Sequence, residues 1–290
     1  MYKILSSQSG YLSSLPLEVI HIQNHQDTAL HTHDFSELVI IQSGSAVHCY
    51  PSGEYSLSAG DVFVVHQGQA HGYRDTRSFE LVNFLFRLDQ LSLILRDIED
   101  LPGFHALFTL APADVQSGGF QSRLRLSADM FNKVSERIRD LINEQTHRPP
   151  GWQFAEVGLF TLIITDVCRA YSQIEHPTAQ ALVRLGQVIS FLQQHYEEEI
   201  TLDDLAHMSH MSRRNLTREF TRYMGISPIE YLIRERVKRS MHLLTSTDIS
   251  VSEAAFKVGF HDSNHFSRTF RAYSGHSPRE FRKLSKTMPG

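Results

Sequence analysis

Leu216-Thr217-Arg218-Glu219-Phe220 returns fifty positions later as Phe266-Ser267-Arg268-Thr269-Phe270. The echo continues beyond it, since Gly225-x-Ser227-Pro228-x-x-Tyr231 is matched by Gly275-x-Ser277-Pro278-x-x-Phe281. A short apolar segment stands ahead of each copy, Leu202-x-x-Leu205-Ala206 and Val251-x-x-Ala254-Ala255. Each is followed by a turn and a serine, Ser212 or Ser263. A duplicated helix–turn–helix is the economical reading, with units at about 202–224 and 251–274. Two such units in one chain suit double-stranded DNA, read in two successive major grooves about one helical turn, or ~34 Å, apart.

Sorting the helix faces narrows the contact residues. Leu216 and Phe220 form an i, i+4 apolar pair that must face a core. Arg214, Thr217, Arg218 and Thr221 then share the opposite face, with Ser212 as N-cap and Arg213 beside it. In the second copy Phe266 and Phe270 take the core, while Asn264, Ser267, Arg268 and Arg271 point outward and Asp262-Ser263 opens the helix. These side chains suit groove reading, because arginine pairs bidentately with guanine, asparagine with adenine, and hydroxyls with phosphates or base edges. Lone exposed arginines are ordinary surface residues. Two copies in matching register favour a binding face. Gly225 and Gly275 supply left-handed helix stops, and each Ser-Pro pair starts the next helix. Lys238 and Arg239, on the connecting helix, read as phosphate contacts or surface charges.

Charge is distributed in the same sense. The 290 residues carry a net charge of −4. From Leu205 onward fifteen Lys/Arg face seven Asp/Glu, a net of +8, which leaves −12 for residues 1–204. An acidic sensor joined to a basic DNA reader fits this asymmetry. Length suggests two domains, and 41% hydrophobic with 21% charged residues is ordinary for folded soluble protein. No apolar run approaches the ~20 residues of a membrane span, and no signal-like stretch follows Met1, so a cytosolic protein is expected. Cys49 and Cys168 suggest neither a disulfide framework nor a CxxC metal site.

The run Gly259-Phe260-His261-Asp262-Ser263-Asn264-His265-Phe266-Ser267-Arg268-Thr269-Phe270, followed by Gly275-His276-Ser277-Pro278, resembles the signature of the AraC/XylS transcription regulators. Within that family the chain is most similar to the rhamnose-operon activators. The resemblance covers about the last hundred residues. It implies base contacts at Arg214, Arg218 and Asn264, and an acidic surface, Glu253 and Asp262, that meets the sigma subunit of RNA polymerase. His261 stands where the family usually has an acidic or small residue.

The N-terminal third reads as strands. Leu38–Ile41, Val62–Val65 and Leu81–Phe86 are β-branched or aromatic runs, punctuated by turn signals at Gly44, Pro51-Ser52-Gly53, Ala59-Gly60-Asp61 and Gly68. Short strands at this spacing suggest a sandwich or small barrel. Within them lies His31-x-His33-x3-Glu37-x6-Gly44, then Gly60-x7-Gly68-x2-His71. Alternation puts His31 and His33 on one strand face. With Glu37 and His71 they make a three-His, one-carboxylate set suited to a divalent transition metal. The pattern resembles the two-part cupin motif, although His66 and Asp75 replace its usual proline and asparagine. Three readings stay open: a metal site, a metal-free sugar pocket using the same groups, and a structural polar network. His48 and His66 are pocket-lining or core residues on any of them.

Between these parts, Pro102-Gly103 and Ser117-Gly118-Gly119 read as loop breaks. Ser127 caps a helix through Met130, Val134, Ile138, Leu141 and Ile142. Pro149-Pro150-Gly151 turns into a second helix through Phe154, Val157, Leu162, Ile163, Val167 and Tyr171. This hairpin can pack on the barrel and on a partner subunit.

The expected architecture is therefore α+β and multidomain. It comprises a cupin-like effector-sensing β-barrel over 1–126, a dimerising helical hairpin over 127–175, a linker over 176–183 and an all-α double helix–turn–helix domain over 184–290. The expected function is a homodimeric transcription regulator responding to a small molecule, a monosaccharide by resemblance. The alternative is a cupin oxygenase or isomerase fused to a DNA-binding domain, but no acid–base or nucleophile pair accompanies the four polar residues.

Overall fold

The computed structural model describes residues 3–5, 17–51, 53–87, 98, 100–110 and 123–287. The chain divides into two compact units, Met1–Gly186 and Gln187–Gly290.

Unit 1 is built on one sheet whose described strands are β1 (Lys3–Leu5), β2 (Leu17–Ile22), β3 (Thr28–His33), β4 (Ser36–Tyr50), β5 (Gly53–Ser58), β6 (Asp61–Val65), β7 (His71–Phe86) and β8 (Arg123–Arg125). The order is β1-β3-β7-β4-β6-β8, with β2 also on β7 and β5 also on β4. Apart from the parallel β1–β3 pair, these ladders are antiparallel. The two long strands hold the sheet together. β4 pairs with β7 from Ser36↔Phe86 to Cys49↔Gly72. Its first half also meets β6 and its second half β5. Gly44, expected to mark a turn, instead lies inside β4. Its φ of +76° and the register shifts on either side identify a bulge. A Cβ there would lie 2.1 Å from the Ser78 carbonyl oxygen, so only glycine fits.

Both faces of the central strands are covered. Leu38, Val39, Ile40 and Ile41 are all 0% exposed. Val39 and Ile41 join Phe63, Val65, Tyr73, Phe79 and Leu81 in one core cluster. On the other face, Phe84 stacks on Phe160 at 5.3 Å and Phe86 meets Phe108 at 5.6 Å. Phe160 belongs to the expected helical hairpin, formed by α1 (Ala128–His147) and α2 (Trp152–Ser172). Ser127 caps α1 by accepting from the Met130 amide. Buried Asp166 on α2 ties the two helices together through Lys133 and Arg137 of α1.

Two expectations in the connecting regions are corrected. Pro102-Gly103 does not break the chain. It opens a helical turn, Pro102–Phe104, that continues as a π turn, His105–Thr109, and buries Phe104, Leu107 and Phe108. Ser117–Gly119 lies outside the described residues. The expected linker, 176–183, is helical from Pro177 within α3 (Pro177–Gln194), and the division between units falls at 186/187. A proline in the first turn loses no intrahelical bond, so Pro177 starts a helix rather than ending one.

Unit 2 adds α4 (Leu202–Met208), α5 (Arg213–Met224), α6 (Pro228–Ser246), α7 (Val251–Lys257), α8 (Ser263–Ser274) and α9 (Pro278–Thr287). Local chemistry sets these boundaries. Thr201 and Asp204 form a capping box, and Ser212, Ser227, Ser250 and Asp262 cap α5, α6, α7 and α8. Gly225 and Gly275 end α5 and α8 in the left-handed region, at φ of +73° and +77°. Leu216, Phe220, Phe266 and Phe270 are each 0% exposed, as the repeat requires.

Phe266 sits in a cluster with Val237, Leu244, Val258, Phe260 and Phe270. Phe266→Ala is expected to cost about 3–5 kcal/mol, the usual penalty for truncating a buried phenylalanine. Urea denaturation followed by helical circular dichroism measures it, and a loss under 1 kcal/mol would mean the cluster is not an energetic core.

Candidate functional site

The structure brings together two candidate sites, one in each unit. In unit 2, α5 and α8 present their polar faces outward. Arg213, Arg214, Arg218 and Thr221 are exposed, with Thr217 half-buried between them. Asn264, Arg268 and Arg271 are exposed in the second copy, with Ser263 and Ser267 half-buried. Several of the expected contact groups already have partners. The Ser212 hydroxyl accepts from the Asn215 amide at 3.3 Å as a cap, and Ser267 donates to the Ser263 carbonyl at 2.8 Å. Arg213 pairs with Asp203 at 3.1 Å.

Arg218 donates to Asn215 Oδ1 at 2.6 Å and to Glu219 Oε1 at 2.9 Å. These bonds sit on an exposed helix, where such pairs contribute little. They hold the guanidinium on the exposed face of α5. Asp262 Oδ1 accepts from the amides of Asn264 and His265, which hold its carboxyl below the usual range. Asp262 is therefore first a helix cap, and Glu253 is exposed beside Lys257 at 3.8 Å. Arg239 leans on Glu235 at 2.6 Å and on the Tyr196 ring, leaving Lys238 as the exposed cation of that pair.

In unit 1 the sheet register builds the other site. His31 is the direct cross-strand partner of His71 in the β3–β7 ladder. His33 follows two residues on, and Glu37 enters from the start of β4. His33 Nε2 lies 3.7 Å from Glu37 Oε1, and His71 Nε2 lies 3.9 Å from Glu37 Oε2. Ligand atoms of these three residues lie within 4.8 Å of one another, and His31 is not among them. The His31 Nδ1 faces the Ala29 carbonyl at 3.0 Å, and its ring packs on His71 at 4.4 Å.

Beside this group opens a cavity of about 490 Å³. Ile20, Ile22, Phe35 and Leu85 give it an apolar side; His25, Asp27, His31, Glu37, His71, Tyr73 and Asn83 give it a polar one. His48 and His66 are not among its lining residues. Asp75 is held at the surface by Arg74. Asn83, Tyr73 and Asp27 escaped the sequence reading. For Asn83 a signal existed, a lone amide within the apolar run Leu81–Phe86; Tyr73 and Asp27 join only through cross-strand register.

The electrostatics of the site follow from burial. Desolvation pushes Glu37 up to about 8 and pulls His33 down to about 4 and His48 to about 3. It also holds His71 well below the usual histidine range, with the neighbouring histidines adding to the effect. His33 Nδ1 lies 2.5 Å from the Phe35 carbonyl, which can only accept. That bond fixes the tautomer and leaves a lone pair on Nε2. His33 Nε2, Glu37 Oε2, both His71 nitrogens, Tyr73 Oη and Asn83 Oδ1 find no hydrogen-bond partner among the described residues. An unsatisfied buried polar atom costs roughly 1–3 kcal/mol. A purely structural network would close its own bonds, so this arrangement points to a ligand.

A helix-turn-helix domain model matches residues 205–284, and an AraC-like ligand binding domain model matches residues 15–149. The HTH-type transcriptional activator RhaS of Salmonella paratyphi A is 31% identical over 257 residues, 87% of this chain and 87% of that one. A protein of the same description from Enterobacter sp. is 30% identical over 257 residues, again 87% of each. Among solved structures, a transcriptional regulator with an AraC-type DNA-binding domain from Chromobacterium violaceum shares 34% identity. It covers 37% of this chain and 95% of its own, with a TM-score of 0.35.

Arg218→Ala is expected to weaken binding to the specific operator about 10- to 100-fold, the worth of one bidentate base contact. Binding to scrambled DNA should change by less than about threefold, as a lost base contact rather than a phosphate contact predicts. Fluorescence anisotropy on both duplexes reads the difference, and equal losses would make Arg218 a phosphate contact.

Proposed function

The chain belongs to the AraC family of transcription regulators, and we propose that it activates transcription when a monosaccharide enters the cavity of unit 1. The observation that supports regulation is the pair of outward-facing helices, α5 and α8, each capped, stopped and buried on its apolar side in the same way. Arg214, Arg218, Asn264 and Arg268 are the proposed base readers, with Arg213, Thr217, Thr221, Ser263, Ser267 and Arg271 completing the faces. The two faces differ chemically, so two different half-sites are read within one footprint. Glu253 and Asp262 are the proposed contacts to the sigma subunit of RNA polymerase. These proposed partners favour a cytosolic location. Among the described residues no helix is long and apolar enough to cross a membrane.

The sugar reading is supported by the cavity's make-up. Its lining pairs an apolar wall with Glu37, His71, Tyr73 and Asn83, whose buried polar atoms without partners among the described residues suit hydroxyl groups. Neither lysine nor arginine is among the described lining residues, which suits an uncharged polyol better than a sugar phosphate. The activator descriptions belong to the relatives, and they support activation rather than repression here. The enzyme reading loses its support, because those relatives are regulators over 87% of their length.

Dimerisation through the hairpin rests on a separate feature. On α2, Phe154 is 89% exposed and Leu162 47% exposed, about two turns apart on a single stripe. Gly158 lies between them with open space where a Cβ would stand. Phe154→Glu with Leu162→Glu is expected to convert a dimer into a monomer in sedimentation velocity, while circular dichroism stays unchanged. A dimer that survives both changes would move the interface elsewhere.

A thermal-shift screen of monosaccharides tests the effector. One sugar should raise the melting temperature in a concentration-dependent way, as native-state binding requires. The same sugar should change affinity for the operator. A screen in which no sugar shifts melting, while other metabolites do, would overturn the sugar reading and leave the DNA reading intact.

A further inference from the structure

We propose that His48, together with Tyr73, forms an inner polar subsite that receives one hydroxyl-bearing arm of the effector, and that His48 thereby sets which polyol is accepted. The subsite rests on the reading of the unit 1 cavity as the place where a sugar binds.

Sheet register puts His48 where strand alternation alone would not. Val39 and Ile41 of β4 belong to the core cluster, so unbroken alternation would send odd-numbered residues inward along the whole strand. Past the bulge at Gly44 the inward set changes parity, and Ala46 joins that same cluster. His48 follows Ala46 on this face and is buried. It lies directly between Tyr55 of β5 and Tyr73 of β7, its partners in the two ladders. Tyr55, Phe63 and Tyr73 cage the imidazole, with ring centroids 4.9, 4.8 and 5.4 Å from it.

A phenylalanine would suit such a cage at no polar cost. A neutral imidazole carries one donor and one acceptor, and neither His48 nitrogen has a hydrogen-bond partner among the described residues. Burial, with Arg123 and His31 adding to it, pulls the pKa of His48 to about 3, so the ring is neutral near pH 7. Tyr73 shares the deficit, because its buried hydroxyl also lacks a partner among the described residues. Two unpaired polar groups side by side, neither bonding the other, call for a third group that bonds both.

The cavity can supply it. Tyr73 and His71 line that cavity, and His48 is in ring contact with both, at 5.4 and 5.6 Å, without lining it. The position is therefore one ring deep behind the wall, and Tyr73, held there by no hydrogen bond through its hydroxyl, is the side chain that shifts to admit an arm. A hydroxyl suits the two groups, since it donates once and accepts twice. Arg123, the cation that acts on His48, is engaged with the Tyr55 ring at 4.5 Å and with Asp61 at 3.6 Å, which favours an uncharged arm over a carboxylate. A site built this way rejects analogues that lack the hydroxyl, because its own donor and acceptor are then left unpaired again.

The test compares the full wild-type chain with His48→Phe, which keeps an aromatic ring in the cage and removes both nitrogens. D-glucose, D-galactose, D-xylose, L-arabinose, L-fucose and L-rhamnose are screened by thermal shift, and each sugar that stabilises wild type is titrated calorimetrically against both chains. The urea midpoint of sugar-free His48→Phe is expected to equal or exceed that of wild type, while its affinity for the sugar falls about tenfold or more. His48→Gln, which retains a donor and an acceptor, should lose less affinity than His48→Phe. His48→Leu repeats the comparison if the phenylalanine variant does not fold. Equal affinity in wild type and His48→Phe would overturn the subsite and leave the effector reading standing. Midpoints well below wild type for both His48→Phe and His48→Leu would also overturn it, making His48 a structural residue. A wild type that none of these sugars stabilises would sink the effector reading and the subsite with it.

Discussion

The antiparallel pairing of β4 with β7 is the constraint on which the sensor unit depends. These strands, of 15 and 16 residues, are about three times the usual strand length. Strands so long cannot stay in one layer. Each bends and gives its two halves to different neighbours, β4 to β6 and then β5, β7 to β3 and then β2. The bulge at Gly44 makes the bend possible, because a residue with a side chain would collide with the Ser78 carbonyl. As a consequence β7 delivers His71 and Tyr73 from one end, and Asn83 and Leu85 from the other, to a single cavity. Its opposite face carries Phe84 to the helical hairpin. The cavity and the hairpin are therefore positioned by one ladder.

Unit 2 follows a different logic, one of local closure. Five helices carry their own start, hydroxyl or carboxylate caps at Thr201, Ser212, Ser227, Ser250 and Asp262, and two of them, α5 and α8, also carry their own stop, left-handed glycines at 225 and 275. Two arginines serve as staples. Arg236 donates to the carbonyls of Tyr196 and Glu198, and Arg282 to those of Leu244 and Ile249. Part of the basic surplus of this unit is thus spent on structure, while the arginines on the outward faces of α5 and α8 stay exposed. Even there, Ser212 and Asp262 act first as caps, which limits how much of the expected contact set is available for reading bases.

The sensor site is the place where the fold accepts an energetic cost. Several buried polar atoms meet around Glu37 with no partners among the described residues. Burial drives the carboxyl toward its protonated form and the imidazoles toward neutrality. A fold stabilised only by its core would replace these groups with apolar ones. Their convergence beside a cavity with one apolar wall is what separates a binding site from a polar core.

By itself the sequence determined whatever is encoded within a few turns of chain. The repeat located α5 and α8, and the i, i+4 apolar pairs assigned their faces. The caps and glycines defined their ends, because helix periodicity and capping are short-range. It also marked His31, His33, Glu37 and His71 as a group, the first two through strand alternation and the others through the resemblance to the cupin motif. Only the tertiary structure decided which of those four converge, since cross-strand register and one backbone carbonyl, Phe35's, turn His33 inward while His31 stays on the wall. The same long-range order carries β4 through Gly44, lets Pro102 and Pro177 begin helices where local reading saw breaks, and adds Tyr73 and Asn83 to the cavity. For the cross-strand register, the Gly44 bulge and the cavity residues Tyr73 and Asn83, the deciding partner is distant along the chain, so no local pattern could reveal it.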